Sequence, residues 1–336
     1  MRAAVLVRPG QLEIEERRRP EPGPGEVLVR ISAVGICGSD VHYWEHGRIG
    51  PFVVTGPLIL GHECAGQVVA AGPPLPGARP DAVPPGARVA LEPGVPCGRC
   101  PSCRSGRYNL CPDVAFLATP PHDGALAEYV VHPADFCHVL PEGVDDASGA
   151  LLEPLSVGIH AARRGGVGLG SRVLVTGMGP IGLMAVLAAR AAGAWIVWGS
   201  DPVGFRREAA ADLGAAAWDE GAAGAVDVAI ECSGAAPAVE LCCTAVRPGG
   251  RVVIVGMGAP RVSVPLIDMQ AREVELVPVF RYAHTYSAAL GLVARGAAPV
   301  GRLVTDRLPL SAVEEAFARA RAAAPGTIKV VVDPRS

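Results

Sequence analysis

The sequence predicts an α/β protein of two domains, a β-rich one followed by a doubly wound parallel sheet. Three observations carry this expectation. A chain of 336 residues exceeds what one hydrophobic core usually serves. Up to about Leu155 it consists of short alternating apolar stretches such as EVLVRISAVGI and ECAGQVVAAG, punctuated by Gly and Pro, as in a β-rich region with long loops. From about Ser171 apolar strands alternate with Ala-rich helical segments: RVLVTG, PIGLMAVLAARAAGA, IVWGSD, GFRREAAADLGA, VDVAIECSG, PAVELCCTAV and GRVVIVGM. That alternation is the βαβ pattern of a parallel sheet.

The first domain is placed at residues 1–155 and the second at 156–279. The remainder, 280–336, holds a helix-like SAVEEAFARARAA and ends in the strand-like GTIKVVVD, which is expected to return to the first domain and complete its sheet. The Pro-rich GPPLPGARPDAVPPGARVAL reads as a surface loop entering a strand.

Thirty basic and thirty-three acidic residues give a net charge of −3 without a basic block, which argues against a nucleic-acid partner. Only Lys329 is a lysine, and Ala, Gly and Pro are abundant, as a GC-rich coding sequence would give. The amino terminus has no charged start followed by an apolar core and a small-residue cleavage site, and no stretch approaches 18 uncharged apolar residues. A cytoplasmic protein with no membrane partner is expected.

Four of the ten cysteines, Cys97, Cys100, Cys103 and Cys111, fall within EPGVPCGRCPSCRSGRYNLCPD. In a reducing compartment, cysteines at two-residue gaps are expected to be thiolate ligands rather than disulfides. The spacing C-x2-C-x2-C-x7-C, with Pro112 after it, ends in a gap of seven where ferredoxin runs have three. Four thiolates in one loop form a closed tetrahedral zinc site with no open position, so these cysteines are expected to be structural, with an iron-sulfur cluster as the competing reading. Most other cysteines read as small buried apolar residues.

Gly177, Gly179 and Gly182 stand in a G-x-G-x-x-G frame after a strand-like run and opening a helix. The first glycine makes the tight turn, the second lets the backbone approach a pyrophosphate, and the third packs helix on strand. Asp201 ends the next strand, nineteen positions beyond Gly182, where a carboxylate accepts hydrogen bonds from ribose hydroxyls and repels a 2′-phosphate. This favours NAD over NADP, although Arg206 and Arg207 lie close by.

Cys37, in GICGSDVHYWEHG, and His62 with Glu63, in LILGHECAG, supply thiolate, imidazole and carboxylate, a mixed set suited to a zinc that keeps one position for substrate. Each residue alone is weak evidence, since a lone His in an apolar setting is more often a satisfied core residue. Glu153, in the otherwise apolar ALLEPLSVGIHA, would be costly to bury without a cation or hydrogen-bond partners.

At these residues the chain resembles the zinc-containing medium-chain dehydrogenases, specifically the sorbitol (polyol) dehydrogenase group. The stretches GICGSDVHYWEHGRIG, LGHE, GRYNLCP, FLATPPHDGALAEY, EPLSVGIHAARRGGV, GMGPIG, IECSGA and VFRY carry the resemblance over nearly the whole length. It implies a GroES-like catalytic domain and a Rossmann nucleotide-binding domain. The activity it implies is zinc-dependent oxidation of a polyol secondary alcohol to the ketose, with hydride passing to NAD. It also implies a catalytic zinc held by Cys37, His62 and Glu63, a structural zinc in the four-cysteine loop, and a homo-oligomer, expected to be a tetramer.

By the same resemblance, Glu153 meets the catalytic metal directly or through a water, and Asp40 orients the zinc-bound histidine. Ser39 and His42 match the positions that relay the released proton, Ser39 beside the alcohol and His42 further out. Tyr43, Phe116, Thr119, Glu153, Arg281 and Tyr282 match substrate contacts, with a surface or cofactor role open for Arg281. Ile181, Arg206, Val255, Gly256, Met257, Val279 and Phe280 match cofactor contacts. The Ala/Gly-rich GAAAWDEGAAGAV is shorter than the helical insertion expected there. Competing readings are another zinc alcohol dehydrogenase, acting on L-idonate, galactitol or L-threonine, and a non-catalytic NAD-sensing protein that kept the fold.

Overall fold

The computed structural model describes residues 1–75 and 83–336. They divide into two units, 1–153 with 299–336, and 154–298. In the first unit a seven-stranded sheet runs in the order Cys137–Val139, Arg88–Leu91, Glu63–Ala71, Glu26–Gly35, Lys329–Asp333 and Val304–Pro309, and Tyr129–Pro133 also pairs with Glu26–Gly35. A smaller antiparallel sheet joins Gln11–Glu16, Arg2–Arg8 and Leu58–Ile59. Leu6, Ile31, Val34, Leu60, Leu126 and Phe317 belong to the core of this unit.

The strand register decides where the chemistry falls. Glu26–Gly35 ends with Gly35 opposite Glu63 on one neighbour and Val331 on the other. The chain then turns directly into the helix Gly38–His46, whose N-cap is Cys37. The carboxy-terminal strand Lys329–Asp333 therefore lies beside the segment that leads to Cys37.

The second unit is a six-stranded, wholly parallel sheet in the order Ala216–Ala217, Ile196–Ser200, Arg172–Thr176, Val226–Glu231, Val246–Ile254 and Glu275–Pro278. Numbered from Arg172–Thr176 this is the order 3-2-1-4-5-6, with its switch point between Arg172–Thr176 and Val226–Glu231, the expected doubly wound arrangement. The strands are short continuous apolar runs because helices cover both faces, and Val173, Leu174 and Val175 are fully buried.

Two expected boundaries move. The helix Leu152–Gly165 runs through the first, and the chain rejoins the first unit at Pro299 rather than at 280. Residues 280–298 stay with the parallel sheet because their own contacts lie there: Ala289 and Tyr286 are buried, and Arg163 Nη1 donates to His284 O at 2.7 Å. Residues 76–82 of the Pro-rich stretch expected to form a surface loop lie outside the described residues, and the stretch ends in the strand Arg88–Leu91. Among the described residues no helix is long and apolar enough to cross a membrane.

Candidate active site and zinc centres

Cys37, His62 and Glu63 come together in the first unit, with one ligand atom from each lying within 4.8 Å of the others. Gly61 makes the turn before His62 at φ +87°, and a Cβ there would sit 2.7 Å from Val34 Cγ1. The donor pair is thus set by a glycine that both the backbone and the packing require.

Asp40 is fully buried and ties this turn to the helix: Cys37 N donates to its Oδ2 and Gly61 N to its Oδ1, each at 3.0 Å. Its Oδ1 lies 3.4 Å from His62 Nδ1, leaving the other ring nitrogen for a metal. Burial pushes the Asp40 carboxyl up, but His62 and these hydrogen bonds outweigh it and hold it below the usual carboxylate range. For His62, burial opposes a charge while Asp40 and Cys37 favour one, and the pKa ends well above the ordinary value. The pocket is electrostatically built for a cation at that imidazole.

Glu63 is wholly buried. The Lys329 ammonium sits against both of its oxygens, with Nζ 2.6 Å from Oε1, which accepts a hydrogen bond, and 2.5 Å from Oε2. A buried carboxylate beside a thiol and an imidazole fits a zinc ligand set. Glu153 is 5 % exposed and acts on Lys329 electrostatically, yet it lies outside the 4.8 Å group. Of the remaining first-unit residues, Ser39 is half-buried, Tyr43 is buried and His42 is exposed on the same helix, its ring 4.6 Å from His46. The buried Phe116 ring lies 5.6 Å from that of His62, and Thr119 closes the following turn by donating to Phe116 O at 3.0 Å.

Cys97, Cys100, Cys103 and Cys111 form a second group of the same compactness. The Sγ atoms of Cys100 and Cys103 are 3.4 Å apart, and backbone N–H groups of Cys97, Cys100 and Cys103 each donate to a cluster sulfur at 3.4 Å. N–H groups of Arg99 and Cys100 bring Cys97 down to about 7, while desolvation and its thiol neighbours push Cys103 up to about 12. Four thiols this close do not all lose their protons without a cation to receive the charge, so the donor set fits a closed zinc site. Tyr108 Oη donates to Glu92 Oε1 at 2.6 Å, and Glu92 Oε2 meets His138 Nε2 at 3.1 Å, which fastens this loop to the main sheet.

In the second unit Gly177 has φ +82°, and a Cβ on Gly182 would stand 1.8 Å from Gly177 O. A Cβ on Gly179, the N-cap of the helix Pro180–Ala191, would meet nothing within 4 Å. That open approach over a helix N-terminus fits a pyrophosphate. Ile181 follows in the first turn of this helix.

Asp201 is buried: its Oδ2 accepts from Met178 N at 2.7 Å and its Oδ1 from Val203 N at 2.8 Å. Each oxygen keeps a lone pair for a ribose hydroxyl. Arg206 Nη1 is 3.8 Å from Asp201 Oδ2, and Arg207 instead donates to Asp201 O at 2.6 Å.

Val255 N and Gly256 N donate to Glu231 O at 2.9 and 3.0 Å. Met257 stands 69 % exposed beyond them. Val279 N donates to Ile254 O at 3.0 Å, followed by Phe280, with the Arg281 guanidinium 4.8 Å from its ring centre, and the buried Tyr282. Arg281 and His284 hold φ of 52° and 55°, a left-handed backbone in non-glycine residues that marks a strained, over-determined segment.

Two residues escape the sequence reading. Glu231, buried at the end of its strand, accepts N–H groups from Ser233 and Gly234 at 2.7 and 2.9 Å and shapes the nucleotide loop. Lys329 is the other, and its uniqueness as a lysine was the one available signal.

A β-rich unit with a thiolate–imidazole–carboxylate centre and a separate four-thiol cluster, joined to a 3-2-1-4-5-6 parallel sheet with a glycine turn, defines a zinc-dependent dehydrogenase of the medium-chain class. Family models agree: the alcohol dehydrogenase GroES-like domain matches residues 23–142 and the zinc-binding dehydrogenase domain residues 180–295. The chain belongs to the zinc-containing medium-chain dehydrogenases, in their sorbitol dehydrogenase group. It is 46 % identical to the sorbitol dehydrogenase of Gallus gallus over 330 residues, covering 94 % of this chain and 92 % of that one. With the Homo sapiens sorbitol dehydrogenase it shares 46 % identity over 328 residues, 93 % and 90 % of the two chains. A solved Escherichia coli oxidoreductase/dehydrogenase of unknown specificity superposes with a TM-score of 0.92 at 36 % identity, covering 99 % of this chain and 98 % of that one.

Proposed function

We propose that this enzyme oxidises a secondary alcohol of a polyol, of the sorbitol, L-iditol or xylitol type, to the ketose with NAD as oxidant. The observation that carries this reading is the compact Cys37, His62 and Glu63 set with Asp40 behind the imidazole, three protein donors that leave a coordination position for substrate. Bound zinc supplies Lewis acidity toward the alcohol oxygen, and bound NAD is the hydride acceptor.

Cys37, His62 and Glu63 hold the metal, and Glu153 faces it through a water, in keeping with its place outside the ligand group. Ser39 takes the alcohol proton and His42, exposed on the same helix, passes it to solvent. Tyr43, Phe116, Thr119, Arg281 and Tyr282 bind the polyol, supplying both hydroxyl donors and apolar walls. Gly177, Gly179, Ile181 and Gly182 cradle the pyrophosphate, and Asp201 holds the ribose hydroxyls, with Arg206 at its edge. Val255, Gly256, Met257, Val279, Phe280 and Arg281 form the rest of the cofactor surface. Cys97, Cys100, Cys103 and Cys111 bind a structural zinc.

The protein is read as cytoplasmic, where thiols remain available as ligands, and as a homo-oligomer. The strand Glu275–Pro278 supports the latter: it is the edge of the parallel sheet, with Leu276 46 % exposed, and a second copy would cover it.

Initial rates of NAD and NADP reduction across sorbitol, L-iditol, xylitol, galactitol, L-idonate and L-threonine test this reading. The expected result is fastest turnover on one of the first three polyols with NAD. Absence of activity with every polyol would refute it.

A further inference from the structure

Arginine fills every basic position of this chain except residue 329. The one lysine is 2 % exposed, and its Nζ donates to Ile36 O at 2.9 Å and to Glu63 Oε1 at 2.6 Å. Ile36 precedes Cys37 and Glu63 follows His62, so a single ammonium joins both segments that carry the three proposed zinc donors. Strand pairing puts it there, since Ile36 N donates to Val330 O at 2.9 Å and Gly35 pairs with both Val331 and Glu63.

The space is shaped for this pair. A Cβ on Gly35 would lie 2.2 Å from Glu63 Oε2 and 3.0 Å from Lys329 Cε. A planar guanidinium with five donors is bulkier than an ammonium with three and would need more acceptors than the Ile36 carbonyl and the Glu63 carboxylate that Lys329 engages here. The chain's otherwise complete use of arginine thus gives way at the place where a compact cation is required. Glu63, Cys37 and Glu153 all bear on this ammonium electrostatically.

We propose that Lys329 is a positioning residue of the catalytic zinc centre. It fixes the Glu63 carboxylate and the Ile36–Cys37 peptide in the ligating arrangement. The proposal rests on the reading that Cys37, His62 and Glu63 hold that zinc.

A sole lysine makes the test direct, because protein grown on ¹³C-lysine carries one lysine side-chain NMR signal. In the full-length enzyme, exchanging the catalytic zinc for Co²⁺ is expected to shift or broaden that signal strongly, and Cys37→Ser is expected to abolish the effect. Lys329→Met, folded as judged by far-ultraviolet circular dichroism, is expected to keep the four-cysteine zinc and to bind the second zinc about ten- to a hundredfold more weakly in chelator competition. Its cobalt form is expected to show altered ligand-field bands, which a merely structural role would leave unmoved. A Lys329→Met protein that binds the second zinc as tightly as the wild type, or a cobalt enzyme with an unmoved lysine signal, overturns the proposal while leaving the zinc centre intact. A wild-type chain holding one zinc, with turnover insensitive to Cys37→Ser, overturns both.

Discussion

Behind the His62 ring, the Asp40 carboxylate accepts N–H groups from Cys37 and Gly61, so one residue orients the imidazole and links the two segments that hold the donors. Asp40→Asn keeps the shape and removes the charge, and is expected to weaken binding of the second zinc about ten- to a hundredfold, read by chelator competition. Unchanged affinity would make Asp40 a helix cap only. The sequence marks Asp40, Cys37, His62 and Glu63 through short motifs in which residue type and spacing are themselves the signal. Lys329 opens the apolar strand in IKVVVD and Glu231 ends the one in VAIECSG, and their roles arise from strand pairing that no local pattern expresses. Their significance becomes visible only when distant chain segments are neighbours.

At the scale of elements, the four-cysteine loop depends on more than its sulfurs. Glu92 leads into it, Tyr108 within it donates to Glu92, and two sheet histidines complete the node: His138 meets the Glu92 carboxylate and His132 Nε2 lies 2.8 Å from Glu92 O. Since that carbonyl oxygen only accepts, His132 must be the donor. Burial depresses the His132 pKa from 6.5 to about 4. Between those values the unfolded chain binds a proton that the folded chain refuses, so this residue's contribution falls as pH drops from 6.5 to 4, by about 3 kcal/mol for the full shift. His132→Gln keeps an N–H donor without the titration, and its melting temperature is expected to fall less than the wild type's across that window. Equal losses would show that His132 is not a source of the acid sensitivity. The GRYNLCP stretch is legible as one that carries the family resemblance, but the pairing of Tyr108 with Glu92, sixteen residues apart, is not.

At the scale of the whole molecule, strand texture and the glycine frame were enough to foresee a parallel sheet in the second unit, because period and length discriminate well there. The sequence texture puts the return of the chain to the first unit at 280, and it occurs at Pro299. The helix Tyr286–Ala294, SAALGLVA after its first residue, is apolar enough to serve either unit, so composition could not assign it. The conspicuous cysteines also mislead by their number: the four-thiol loop has the stronger motif, and the chemistry is assigned to Cys37, alone in its segment.

The most direct test of that assignment is zinc content together with the rate of polyol-dependent NAD reduction in Cys37→Ser. Two zinc ions per wild-type chain and one in the variant are expected, with turnover reduced by about a thousandfold or more, as loss of the Lewis acid would require. Undiminished turnover in Cys37→Ser, or iron in place of zinc in the four-cysteine loop, would contradict the account.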